Sequence, residues 1–131
     1  MEKLTEFFDY SEFGITDKTN TTIKENIKSL VLNVMDLIRK NYGMPIYITS
    51  GYRSPEHNKA VGGAANSQHV YGEACDFTGR DFKRLLRIID ELDEYGLLNY
   101  DQMIIYRRRK FIHISYKNES LNRNQKIFKL K

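Results

Sequence analysis

The chain has 131 residues, room for one domain and not for a second core of useful size. Hydrophobic residues make up 40% and charged residues 29%, a balance that excludes a disordered chain, and 12% aromatics can build a core without tryptophan. The formal net charge of +4 favours acidic surfaces without singling out nucleic acid, and the lone Cys75 excludes an intrachain disulfide framework.

In chain order, Leu4 to Phe13 mixes aromatics with acids and reads as an irregular cap or short helical turn. A long helix is expected from Thr21 to Tyr42. Ile23, Ile27, Leu30, Val31, Val34 and Ile38 recur at three- and four-residue steps, Asn20 or Thr21 can cap the start, and Gly43 offers a left-handed stop. Ile46-Tyr47-Ile48-Thr49 is a β-branched run that predicts a strand. Ser54-Pro55 has the form of a cap followed by proline in the first helical turn, opening a short helix to Ala60 that Gly62-Gly63 breaks. A loop carries Asn66 to Gly72, and Glu73 to Thr78 reads as a strand.

A second amphipathic helix is expected from Asp81 to Tyr95, with Phe82, Leu85, Leu86, Ile89 and Leu92 inward and Gly96 at its end. Two strands follow, Gln102 to Tyr106 and Phe111 to Tyr116, joined by the basic link Arg107-Arg108-Arg109-Lys110. Gln125 to Leu130 can add an edge strand. Two main helices on a mostly antiparallel sheet make an α+β fold in a single domain, 1–131. No segment has the roughly 18 apolar residues of a membrane span, and Met1 to Tyr10 lacks the apolar run of a signal peptide. Synthesis in the cytoplasm is therefore the expectation.

Three histidines are present: His57, His69 and His113. His69 stands seven residues before Asp76, with Gly72 and Ala74 small enough for a sharp turn and close packing between them. His113 lies mid-strand, on the face opposite Ile112 and Ile114. Imidazole nitrogen and carboxylate oxygen both suit zinc, and three such ligands leave a fourth position free. Spacing alone leaves the alternative open that all three are hydrogen-bonded polar residues without a metal. His57, beside Glu56 and Lys59, reads as a solvated surface residue, and Cys75 as a small buried hydrophobe.

The run Ser67-x-His69-x-x-Gly72-x-Ala74-x-Asp76 resembles the zinc signature of the D-Ala-D-Ala carboxypeptidase, dipeptidase and phage endolysin superfamily, peptidase family M15, and within it the form of subfamily A. Ser50-Gly51-Tyr52-Arg53-Ser54-Pro55 and Asn58-Lys59-Ala60-Val61-Gly62-Gly63 resemble the segment that precedes that signature. Asp101-Gln102 and His113-Ile114-Ser115 resemble its closing hairpin. The resemblance implies a Hedgehog/DD-peptidase-like fold with Zn2+ on His69, Asp76 and His113. Arg53 would grip a terminal carboxylate of the substrate, and Ser67 would hydrogen-bond substrate or the ligand loop. It further implies a zinc metallopeptidase acting on peptidoglycan stem peptides at the cell wall. A monomer is expected, and no nucleic-acid partner, since the four basic residues of one hairpin come with no helix for a groove and no aromatic platform. The bond cut would be D-Ala-D-Ala or L-Ala-D-Glu.

One position departs from the family pattern. Peptidases of this group usually carry an acid three residues before the last histidine ligand, and here Lys110 stands there. Asp101 is the catalytic carboxylate the sequence offers instead, with Glu73 second. Tyr106 can donate to an oxyanion but is a poor base near neutral pH. The missing acid also supports a different class of function, a zinc-binding module that recognises cell-wall peptides with little or no turnover.

Overall fold

The computed structural model describes residues 3–130. A five-stranded mixed sheet runs in the order β1-β2-β4-β3-β5, where β1 is Ile46–Ser50, β2 Ala74–Gly79, β3 Gln102–Tyr106, β4 Phe111–Ser115 and β5 Gln125–Lys129. Three strand pairs are antiparallel, and β5 joins the β3 edge in parallel. The α+β architecture expected from the sequence is thus present.

The long helix forms where its apolar stripe predicts, as α1 (Thr21–Leu30), one wider π turn (Val31–Met35) and α2 (Asp36–Tyr42). Asn20 caps it by accepting from the Thr22 amide at 2.7 Å, and Gly43 ends it at φ 77°. Helix α3 (Pro55–Ala60) starts at the Ser54 cap, whose Oγ accepts from the His57 amide. Helix α4 (Phe82–Glu94) is capped by Asp81, whose carboxylate accepts from the Arg84 amide. No helix among the described residues is long and apolar enough to cross a membrane.

Strand alternation divides the sheet into two faces. Cys75, Phe77, Met103, Ile105, Ile112 and Ile114 are fully buried with Ile27, Leu30, Val34, Ile38, Leu85 and Ile89 of the helices, and this is the core. The other face carries Asp76, His113, Ile104 and Tyr106. One irregularity in β1 matters for that face. Ile46 and Ile48 pair with Gly79 and Phe77, whereas Ser50 pairs with Asp76, so an extra residue is accommodated after Ile48. The bulge swings Ser50 from the core side to the Asp76 side, where period-two alternation would not have put it.

Candidate metal centre

Register brings two of the three expected ligands together. Asp76 on β2 lies directly opposite His113 on β4, so their side chains emerge side by side on the open face. His69 arrives from a different direction, in a short 3-10 turn (Gln68–Tyr71) capped by the Ser67 hydroxyl, which accepts from the His69 amide at 3.2 Å. The turn is anchored on two sides. Asn26 of α1 donates to the Tyr71 carbonyl at 2.8 Å, and the Arg53 amide donates to the His69 carbonyl at 3.0 Å. Gly72 leaves the turn at φ 72°, and a Cβ there would stand 2.8 Å from both Cγ2 and the carbonyl oxygen of Ile23. Glycine is required on both counts.

The ring of His69 is oriented by backbone. Its Nδ1 lies 2.8 Å from the Gly51 carbonyl oxygen, which can only accept, so Nδ1 carries the proton and Nε2 presents its lone pair inward. That Nε2 is 3.2 Å from His113 Nδ1 and 3.2 Å from Asp76 Oδ1, and His113 Nδ1 is 2.9 Å from the same oxygen. Three acceptor-capable atoms from three segments therefore converge on one point in a nearly closed setting: His69 is 3% exposed and Asp76 9%.

The donor set fits a divalent metal ion. A tetrahedral centre with bonds of ~2.0–2.1 Å spaces its ligand atoms about 3.3–3.4 Å apart, so this triangle needs to widen by only a few tenths of an ångström. Burial alone would push the Asp76 carboxyl up. Hydrogen bonding to His113 and His69, and the charge of those rings when protonated, outweigh burial and hold it well below the usual carboxylate range. Cys75 takes no part: it is fully buried on the core face, and burial, reinforced by the charge of Asp76, pushes its thiol far up.

A groove of about 920 Å³ opens over the cluster. One wall is the loop from Val61 to His69, the floor is the outer face of β3 and β4, and Arg53, Ser67 and Tyr106 line it. Arg53 donates from Nε to Ser50 Oγ at 3.0 Å and from Nη1 to Asn58 Oδ1 at 3.4 Å, and its Nη2 stands 3.5 Å from Asp76 Oδ2. The β1 bulge is what supplies Ser50 for that bond. Asn58 is 2% exposed and donates to the Ala64 carbonyl at 2.7 Å, tying the groove wall to Arg53.

Asp101, expected as a catalytic carboxylate, is fully buried at the level of Ser115, whose carbonyl accepts its amide. Both its oxygens are taken by Arg123. Nε donates to Oδ1 and Nη2 to Oδ2, each at 2.9 Å, and the Arg123 amide adds a bond to Oδ1 at 3.1 Å. Burial opposes but does not outweigh these bonds, and the Asp101 carboxyl is held below its ordinary value. Glu73 accepts from the Gln68 amide group at 3.4 Å. Lys110 occupies a left-handed turn position, φ 58°, and its carbonyl accepts from Thr78 Oγ1. His57 is exposed, as the sequence suggests.

Sequence reading missed the Gly51 carbonyl, Ser50, Asn58 and Arg123. A backbone acceptor leaves no side-chain signal, and Ser50 depends on a bulge. Asn58 had a cue, as a polar residue of α3 shortly before a Gly-Gly pair that must approach something closely; a Cβ on Gly63 would collide with the Asn58 side chain.

Comparison with known proteins agrees with this geometry. The family model described as Peptidase M15 matches residues 6–115, well over half of the chain. No curated protein matches the chain. The chain belongs to the Peptidase M15 family.

Proposed function

From that membership and the convergence of His69, Asp76 and His113, we propose a zinc metallopeptidase that hydrolyses peptidoglycan stem peptides at the cell wall. It would work as a single-domain monomer of Hedgehog/DD-peptidase-like fold. The observation that carries the reading is the triangle of inward-facing donors at 2.9–3.2 Å beneath an open groove.

His69, Asp76 and His113 would hold Zn2+, which when bound polarises the scissile carbonyl and acidifies water. Gly51 fixes the His69 tautomer that can ligate. Arg53, prevented from swinging by Ser50 and Asn58, presents its fork to a substrate carboxylate beside the cluster. Ser67 holds the ligand turn. Tyr106 lines the groove, and burial, then the charge of Asp76, raises its phenol. It therefore stays protonated at neutral pH and can donate to a developing oxyanion. Asp101, with both oxygens bound to Arg123, positions that arginine and does not shuttle protons.

Incubating the zinc-loaded protein with purified stem peptides, followed by mass spectrometry, tests the reading. Release of D-alanine or a cut between L-Ala and D-Glu, lost in His113→Ala, is the expected outcome. Peptide binding without cleavage would leave the second reading, a recognition module with little turnover. One observation favours that alternative: among the described residues lining the groove, Asp76 is the only carboxylate. A missing general acid–base group lowers rate by about 10²–10⁴.

A further inference from the structure

The groove is unequally charged. Arg53, Arg109, Lys117 and Arg123 line it against the single carboxylate of Asp76. Arg53 stands beside the metal cluster, so one substrate anion is accounted for. The other three cations lie at the two ends. Arg109 is in the link between β3 and β4, while Lys117 and Arg123 lie beyond the far end of β4.

The two ends are built differently. Arg109 is exposed on a hairpin tip, where its guanidinium rests over Phe111 at 5.0 Å. The Lys117–Arg123 end is stapled down. The Lys117 amide donates to Asn122 Oδ1 at 2.8 Å, and the Asn122 side chain donates to Asn99 Oδ1. The Asn124 amide reaches the Tyr100 carbonyl at 2.8 Å. Asp101, fully buried, clamps the Nε–Nη2 edge of the Arg123 guanidinium while that side chain remains half exposed. A buried carboxylate that fixes a half-exposed arginine at a groove wall leaves Nη1 to meet a ligand in a set orientation. Beside it, Lys117 forms no ion pair with any carboxylate among the described residues.

We propose that Lys117 and Arg123 form a second anion subsite, which selects peptides carrying a carboxylate away from the scissile bond. The inference rests on the groove being a peptide site, as proposed above. Lys117 is four residues from His113, two of them past the end of β4, so at most roughly 13 Å away along the backbone at ~3.3 Å per residue. A bound extended peptide has the same rise, so the selected carboxylate lies about two to four residues from the bond to be cut. Asp101 is a positioning residue for this subsite, acting through Arg123.

The test uses two labelled peptides, one with a glutamyl side chain three residues from the scissile bond and one with glutamine in its place. Anisotropy titrations at low and high salt, on zinc-loaded and zinc-free protein, measure the ratio of their affinities. The native protein should prefer the acidic peptide by about five- to tenfold at low salt, and less at high salt. Lys117→Gln, at an exposed position, should bring the ratio to within about twofold. Arg123→Lys keeps the charge but loses the fork, and should lower the ratio as well. Equal affinity of the native protein for both peptides, or a ratio that survives Lys117→Gln, overturns the subsite. Cleavage followed in parallel separates the two proposals. If both peptides are cut without preference, the peptidase stands and the subsite falls. If the acidic peptide is selected and neither is cut, the reverse holds.

Discussion

Replacing Arg123 by methionine is the perturbation that best separates a structural Asp101 from a catalytic one. The native carboxylate is fully buried and takes two guanidinium bonds at 2.9 Å and one backbone amide bond at 3.1 Å. Of these three bonds the variant keeps only the amide, beside the Gln68 side chain, which also lowers the Asp101 carboxyl. Breaking a buried ion pair costs about 3–5 kcal/mol, but the arginine side of this pair is 51% exposed, so water can replace part of what is lost. A discounted loss of about 1.5–3 kcal/mol at pH 7 follows. At about 3–5 °C per kcal/mol for a chain of this length, Tm should fall by about 5–15 °C.

The loss must also depend on pH in a particular sense. Arg123 holds the folded-state carboxyl of Asp101 below its unfolded value of about 3.9. Its contribution is therefore complete above the unfolded value and disappears as pH falls through the folded one. The Tm difference between native and Arg123→Met should be largest near neutral pH and shrink as pH falls through the acid range, where Asp101 becomes protonated first in the variant and then in the native protein. The melts are run by circular dichroism with metal removed, so that loss of zinc at low pH does not enter. A difference at pH 3 equal to that at pH 7, or no difference at pH 7, refutes this account of the pair.

Gly51→Ala would place a Cβ 2.5 Å from Cα and the carbonyl oxygen of Phe13, backbone atoms that cannot step aside. Displacing the Gly51 carbonyl releases His69 Nδ1, and zinc affinity by chelator competition should fall about 10–100-fold. Gly72→Ala combines a positive φ with the Ile23 clash and should cost about 1–3 kcal/mol by chemical denaturation. Asn58→Ala leaves the Ala64 carbonyl without its donor and Arg53 without one of its supports. Stability should drop by about 1–3 kcal/mol, and hydrogen exchange should quicken in residues 61–67.

What the sequence reveals of this molecule follows from the range of each interaction. The long helix from α1 to α2 is visible because Ile27, Leu30, Val31 and Val34 repeat at a spacing any reader can test, and α3 because Ser54-Pro55 writes its own start. The two clustered histidines are visible for a related reason. His113 is a polar ring where alternation demands an outward residue, and His69 to Asp76 carries glycine and alanine where a tight turn must pack. These are local signals. The Arg123–Asp101 clamp spans 22 residues and no periodic pattern, so sequence could only see Asp101 as an acid near the last histidine and give it the chemistry that an acid performs. The same shortfall explains Ser50. Period-two alternation along β1 assigns it to the core side with Ile46 and Ile48, and one extra residue reverses that assignment. In both cases the partner is decided by how distant segments meet rather than by anything written next to the residue. Asp101 is the clearest instance: a carboxylate singled out for its place in the sequence is fully buried, with both oxygens bonded to Arg123.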